Sequence, residues 1–362
     1  MSRLTPSLFA LIAATTWAAP ALAEDFDAFR DAYPVTPAQW AGLGDEDDPI
    51  KIEFGVRYWY AIGGQSFNDG GGSNLLSSSD VAHAGELHLR VEDHATNSYA
   101  KAIAGYTAAI SGSYSDPYVS GTFADGHVGY VGADFGWNAF GDNEGTGAGF
   151  LIGYQYWQDA PNTGRNNYTT ATSTGDVTYD TITGQTFLPG DSAANSVDMH
   201  MLRLGVGGKA NIGGFLDISA EVAAVPYAKV SGVVGVDDPS FDNSVYGGPA
   251  QVPYDTVANG NTSYMRSSAT EIDGWGYGAM AEGWVGVHPV DNLTFRVGAR
   301  AWYLQGTVDQ TYSAVQVGNP GDADIDGVYD TDPVVVNSNY ISVANPFAMF
   351  RYGLLAELTY AF

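Results

Sequence analysis

From Ile50 to the end of the chain, apolar and polar residues alternate one by one, in blocks broken by Gly-, Asn- and Asp-rich stretches. A period of two sends successive side chains to opposite faces, the geometry of a strand with two unlike surroundings. In the first block Ile52, Phe54, Val56, Tyr58 and Tyr60 share one face. Lys51, Glu53, Gly55, Arg57 and Trp59 share the other. Residues 86–92 repeat the pattern with Glu86, His88, Arg90 and Glu92 on one side. The last block sets Phe350, Tyr352, Leu354, Ala356, Leu358, Tyr360 and Phe362 against Met349, Arg351, Gly353, Leu355, Glu357, Thr359 and Ala361. No apolar run after residue 23 is long enough to cross a bilayer as a helix. The chain is therefore expected to be all-β.

Following the alternation predicts ten strands at about 50–62, 81–92, 98–110, 127–137, 147–158, 197–209, 214–232, 268–287, 293–309 and 347–362. Long connections at 63–80, 111–126, 159–196, 233–267 and 310–346 alternate with short ones at 93–97, 138–146, 210–213 and 288–292. Keeping every long loop at one end is a requirement of a transmembrane antiparallel up-and-down β-barrel, with short periplasmic turns and long extracellular loops. Ten strands is the expected count, and twelve if loop three or four hides a hairpin. The barrel would occupy 50–362.

The amino terminus agrees with export. Arg3 precedes an apolar run, Leu8 to Ala14, and Ala21-Leu22-Ala23 forms an A-x-A cleavage site, so 1–23 reads as a removed signal peptide. Residues 24–49 are acidic and not strand-like, with Phe26, Phe29, Tyr33 and Trp40 among the acids. They are expected to form a periplasmic tail, flexible by default for an unanchored terminus, or able to plug the barrel mouth or contact the cell wall. Aromatic residues cluster where strands would cross an interface: Tyr58–Tyr60, Tyr154–Trp157, Trp275 with Tyr277, and Trp302–Tyr303 on one side, with Tyr360, Phe362 and Trp137 on the other.

A final strand of alternating apolar residues ending in Phe362 resembles the carboxyl-terminal signature of Gram-negative outer-membrane β-barrel proteins. The resemblance implies delivery by periplasmic chaperones, insertion by the barrel-assembly machinery, and residence among outer-membrane lipid and lipopolysaccharide. Ten strands with five long loops also resemble the architecture of the omptin proteases, which carry an Asp pair on the second loop side and an Asp-x-His pair on the fourth. Here loop four has Asp237, Asp238, Asp242 and Asp255 but no His. Asp125 and His127 lie at the end of loop two instead, so the omptin catalytic pattern is broken. The remaining histidines, His83, His94, His200 and His288, look isolated.

Charge decides what lies inside. The chain has 14 Lys+Arg against 41 Asp+Glu, a net charge of -27, and no Cys. That balance excludes phosphate-neutralising nucleic-acid binders, and the absence of thiols excludes disulfides and thiol chemistry. The inward faces are expected to hold Lys51, Arg57, Arg90, Lys101, Arg203, Lys209, Lys229, Arg296, Arg300 and Arg351. With them go Glu53, Glu86, Glu92, Asp134, Asp217, Glu221, Glu282 and Glu357, and His88 sits in their midst. Near-balance suits a cross-braced lumen, because buried charge is costly unless paired. The acidic excess falls to the loops and tail.

In loop five, Asp322-x-Asp324-x-Asp326-Gly327, with Asp330 at the ninth position, resembles the start of an EF-hand calcium loop. Pro333 stands where the bidentate Glu would be, so this is a candidate Ca²⁺ site without its last ligand; the alternative is a solvated acidic loop. No cofactor is required. The first functional expectation is a non-enzymatic, monomeric surface protein: a charge-braced barrel whose acidic loops bind cations or partners. The alternatives are a small porin-like channel for ions or small solutes and an omptin-like hydrolase with a rearranged site.

Overall fold

The computed structural model describes residues 50–68, 74–115, 120–141, 146–170, 178–179, 186–187, 190–212, 215–235, 262–290, 292–318 and 335–362. The strands among them are β1 (Ile50–Asn68), β2 (Asn74–Asp93), β3 (Ser98–Ser115), β4 (Ser120–Phe123), β5 (Gly126–Gly141), β6 (Gly147–Pro161), β7 (Arg165–Thr169) and β8 (Thr178–Tyr179). They continue with β9 (Thr186–Phe187), β10 (Gly190–Ala194), β11 (Ser196–Ile212), β12 (Leu216–Val234), β13 (Thr262–Arg266), β14 (Thr270–Val290), β15 (Leu293–Gly318) and β16 (Val335–Ala361). The expected signal peptide and tail, the loop-five acids and most of loop four lie outside the described residues.

Twelve strands form one antiparallel sheet. β1, β2, β3, β5, β6, β11, β12, β14, β15 and β16 pair in that order. β16 then pairs back onto β1, from Glu53↔Ala361 to Phe67↔Phe347, and closes the circuit. The other two are short: β4 pairs with β3 and β13 with β15. The extra strands thus come from loops two and four, and β7–β10 and β8–β9 make separate two-stranded ladders.

The strands run well past their expected upper ends. β1 and β2 stay paired up to Asn68↔Asn74, and β15 and β16 up to Val317↔Val335. Hydropathy reading stops too early because the pattern inverts there. Lower down, the outer face is apolar, with Phe54, Val56, Leu87, Leu89, Phe135, Ile152, Val206, Val222, Val297 and Leu358 exposed, while the inner face carries charge. Higher up, the outer face turns largely polar, with Ser66, Ser79, Ser111, Ser113, Asp198, Glu271, Asp273 and Asp309, although Val336, Ile341 and Val343 on β16 stay exposed. The inner face there becomes Phe67, Leu76, Val197, Met199, Leu304, Phe347 and Met349, all buried. Apolar-out, polar-in is the arrangement of a wall in lipid; apolar-in, polar-out is that of a sheet in water. The inversion places the outer membrane boundary, and the barrel continues above it as a solvated stub with its own core.

Bulges adjust the alternation. Between Val225 and Ala228 the β12–β14 register shifts, at Pro226, which has no N–H to give the ladder. The extra residue turns Lys229 outward, against the expectation of a lumen cation, and it meets Asp273 on β14 at 2.5 Å. Glycine makes room where the inner wall is crowded. A Cβ on Gly63 would stand 2.5 Å from the Arg351 guanidinium, and one on Gly353 would stand 1.8 Å from the Tyr60 carbonyl oxygen at the closing seam.

Candidate functional site

The described side chains of the lumen stack in tiers. The lowest is ionic. Arg57 on β1 bonds Glu357 on β16 and lies 3.9 Å from both Glu86 on β2 and Glu282 on β14. Arg300 on β15 meets Glu86 and Glu282, each at 2.5 Å. Arg296 reaches Glu53 at 2.6 Å, Glu357 at 2.9 Å and Asp217 at 3.3 Å. Beside these, Lys101 and Arg203 share Asp134 and Glu221 at 2.7–3.2 Å. These pairs join strands from one to four places apart around the circuit, and the longer ones, such as Lys101–Glu221, tie walls together across the interior. Nearer the short turns, Arg90 pairs with Glu92 at 2.6 Å and lies over the Tyr99 ring, and half-buried Lys51 is the register partner of Glu92.

Above the charges lies an aromatic layer. Trp157 on β6 stacks on Tyr130 at 4.6 Å and meets Trp302 on β15 at 4.6 Å and Trp59 on β1 at 6.1 Å, edge-on to both. Trp157 and Trp302, expected in the outer girdle, point inward because they share a face with Gln155 and Arg300. Arg300 lies under Trp59 at 5.0 Å, and the Tyr130 hydroxyl bonds Glu86, so this layer is joined to the one below. Above it Arg351 forks onto Asp80 at 2.7 and 3.0 Å and reaches Asp159 at 3.2 Å, on the opposite wall. The apolar core of the stub follows.

Twelve of the fourteen expected network residues pair with an opposite charge within 4.0 Å, His88 stands 3.8 Å from Glu357, and Lys51 lies opposite Glu92 in the β1–β2 register. Asp80 and Asp159 were missed because both fall in stretches read as loops. Their signal was available: the inward phase of β2 runs unbroken from Glu92 through His88 and Glu86 to Asp80 and Leu76.

The outer histidines are not isolated. His83 accepts or donates to the Tyr58 hydroxyl at 2.5 Å, and His200 to that of Tyr154 at 2.6 Å. His127 stacks on Tyr106 at 5.5 Å and bonds Gln158 at 3.0 Å, on the outer wall. His288 sits against Asp217 at 2.7 Å. Together with Tyr277, Tyr303 and Gln305, which bond one another, the Tyr–His pairs form an amphipathic girdle just below the pattern inversion. Asp125 accepts from the Gly126 amide at 2.7 Å, and the loop-four acids that it and His127 were expected to face lie outside the described residues.

A cavity of about 140 Å³ opens at the short-turn end, lined by His94, Asn97, Asn138 and Thr146 at its mouth. Glu53, His88, Arg296 and Glu357 lie deeper. Glu53, His88 and Glu357 are buried, and each offers one donor atom within 4.8 Å of the other two, a grouping able to coordinate a metal ion.

A closed antiparallel circuit with an apolar belt outside and an ionic lumen defines a transmembrane β-barrel of the outer-membrane type. No known protein family matches the sequence, and no curated protein matches it either. Solved structures similar in fold include the outer membrane protease OmpT from Escherichia coli, 10% identical, covering 89% of this chain and 99% of that one, with a TM-score of 0.49. Others are the translocator domain of the autotransporter NalP from Neisseria meningitidis (11% identity, 95% and 97% covered, TM-score 0.33) and a Pseudomonas aeruginosa FadL homologue (11%, 86% and 90%, 0.29).

Proposed function

We propose that this protein is a closed, non-enzymatic anchor of the Gram-negative outer membrane, which holds acidic loops above the surface on a rigid solvated stub. The observation that carries this reading is the succession of tiers across one lumen: ion pairs, interlocked indoles, the Arg351 fork and an apolar core. A conducting pore needs a continuous wet path, and each tier replaces water with side chains. The stub makes the anchor more than a membrane plug, because its core keeps the loop bases fixed relative to one another. Lipid and lipopolysaccharide would meet the Tyr–His girdle, and the barrel-assembly machinery would insert the chain.

Planar-bilayer recording of the refolded barrel tests the closed lumen. Current at the unmodified-membrane baseline is expected; stable ohmic steps would establish the porin-like alternative instead. Peptidase assays with Asp125→Asn and His127→Ala controls test the non-enzymatic part, and turnover lost in both variants would overturn it. Ca²⁺ binding by Asp322, Asp324, Asp326 and Asp330 belongs to the same reading of the loops as cation binders. Calorimetry on Asp324→Ala checks it, and unchanged Ca²⁺ affinity would remove it.

A further inference from the structure

We infer that the floor of the periplasmic cavity binds a divalent transition-metal cation, with Glu53, His88 and Glu357 as ligands and Zn²⁺ as the cation the donors suit best. The three residues come from β1, β2 and β16, adjacent walls at the closing seam. Their exposures are 7%, 3% and 2%.

His88 is what separates this group from an ordinary ionic cluster. Neither of its ring nitrogens has a hydrogen-bond partner, although Nδ1 stands 3.8 Å from a Glu357 carboxylate oxygen. A neutral imidazole has one donor and one acceptor, and leaving both unpaired in a buried site is costly. Coordination through one nitrogen would satisfy the acceptor. Its surroundings supply the matching charge. The contacts join Arg57, Arg296 and Arg300 to Glu53, Glu86, Asp217, Glu282 and Glu357, three guanidiniums against five carboxylates. His288 touches Asp217 but adds charge only when protonated. The adjacent cluster of Lys101, Arg203, Asp134 and Glu221 balances by itself. Arg90, bonded to Glu92, and Lys51 and Lys209 lie nearer the mouth. Lys51 and Lys209 bring the ionic tier as a whole to balance, so the excess that a divalent cation would offset is local to Glu53 and Glu357.

Binding requires the donors to draw together. Zinc–ligand distances of about 2.0–2.2 Å put donor atoms roughly 3.2–3.6 Å apart, so spacings that now reach 4.8 Å must shrink by up to about 1.2–1.6 Å. The guanidiniums can yield. Arg57 keeps Glu86 and Glu282 if Glu357 turns away, and Arg296 keeps Asp217 if Glu53 does. One imidazole nitrogen with two carboxylates suits Zn²⁺ and its neighbours, whereas Ca²⁺ takes six to eight oxygens. Water from the open cavity would complete the coordination. The site is thus distinct in chemistry from the acidic loop, and it stands whether the lumen conducts or not.

The test uses the refolded full chain in detergent, stripped with chelator and titrated with Co²⁺ as a visible-absorbing probe, in excess Ca²⁺ to occupy the acidic surface. One saturable equivalent with ligand-field bands unlike those of aqueous Co²⁺ is expected, displaced by Zn²⁺. The bands should vanish in His88→Gln and Glu357→Gln and persist in His288→Ala. Folding of each variant is judged by its heat-dependent electrophoretic mobility. Wild-type protein without such bands would overturn the proposal, as would a folded His88→Gln that retains them. If neither ligand variant folds, the wild-type barrel decides through ¹⁵N NMR of its histidines. Zn²⁺ must then shift one buried ring, and a titration that moves only exposed rings refutes the site.

Discussion

Arg351 offers the sharpest test of the braced lumen. Its guanidinium is 1% exposed and gives three hydrogen bonds, two to Asp80 and one to Asp159, so one side chain ties β16 to β2 and to β6 across the barrel. Arg351→Met keeps most of the volume and removes the charge. Two carboxylates are then left buried without a cation, and removing one partner of a buried pair costs about 3–5 kcal/mol. The loss here should sit at the upper end, about 5 kcal/mol, because two anions lose the same partner. The penalty comes from uncompensated charge, so it should be recoverable. The triple variant Arg351→Met/Asp80→Asn/Asp159→Asn should regain most of it, short by about 1–2 kcal/mol for hydrogen bonds not remade. Urea titration of the barrel refolded into lipid vesicles, followed by the emission of Trp59, Trp157 and Trp302, measures all three proteins. A single variant within about 1 kcal/mol of wild type would refute the reasoning. So would a triple variant no more stable than the single.

Other parts of the structure make further predictions. Trp157→Ala removes the ring shared by Trp59, Tyr130 and Trp302 and should cost about 3–5 kcal/mol in the same titration; conductance should stay at baseline, since the tiers above and below persist. Gly353→Val would place a side chain on the Tyr60 carbonyl at the β1–β16 seam, and loss of the heat-modifiable folded band in electrophoresis is the expected outcome. At the periplasmic turn, the Asp93 carboxyl is held below its ordinary value mainly by a hydrogen bond from the Thr96 hydroxyl, with the Ala95 amide adding to it. A depressed carboxylate stabilises the fold above its unfolded pKa, and that contribution fades as pH falls through the folded value. Carboxylate NMR titration should show Asp93 ionising below model Asp, and Thr96→Val should bring it back up.

Much of the membrane-embedded wall was legible in sequence because a strand's side-chain period is two and lipid and lumen impose opposite polarity on its faces. Arg57, Glu86, Arg203, Arg300 and Glu357 could be assigned to the interior by counting alone. Trp157 and Trp302 could have been assigned inward by the same count, had phase been weighed above the preference of indoles for interfaces. Lys229 could not, since nothing in the alternation marks the extra residue at Pro226 that rotates it outward. The upper strands escaped notice for a different reason. There the wall leaves lipid, its outer residues become Ser and Asp, and the apolar residues inside resemble those of any loop core.

What sequence alone determined is therefore the architecture: a β-barrel, its polarity across the wall, an ionic interior and an acidic exterior. Those follow from local period and composition, which each strand carries by itself. Partner choice was left to the closed circuit. Arg351 and Asp159 are 192 positions apart, Arg57 and Glu357 300, and only curvature and register bring them together. The same closure brings Glu357 on the last strand to Glu53 and His88 on the first two. No spacing along the chain could have announced that trio, because it exists only where the last strand meets the first.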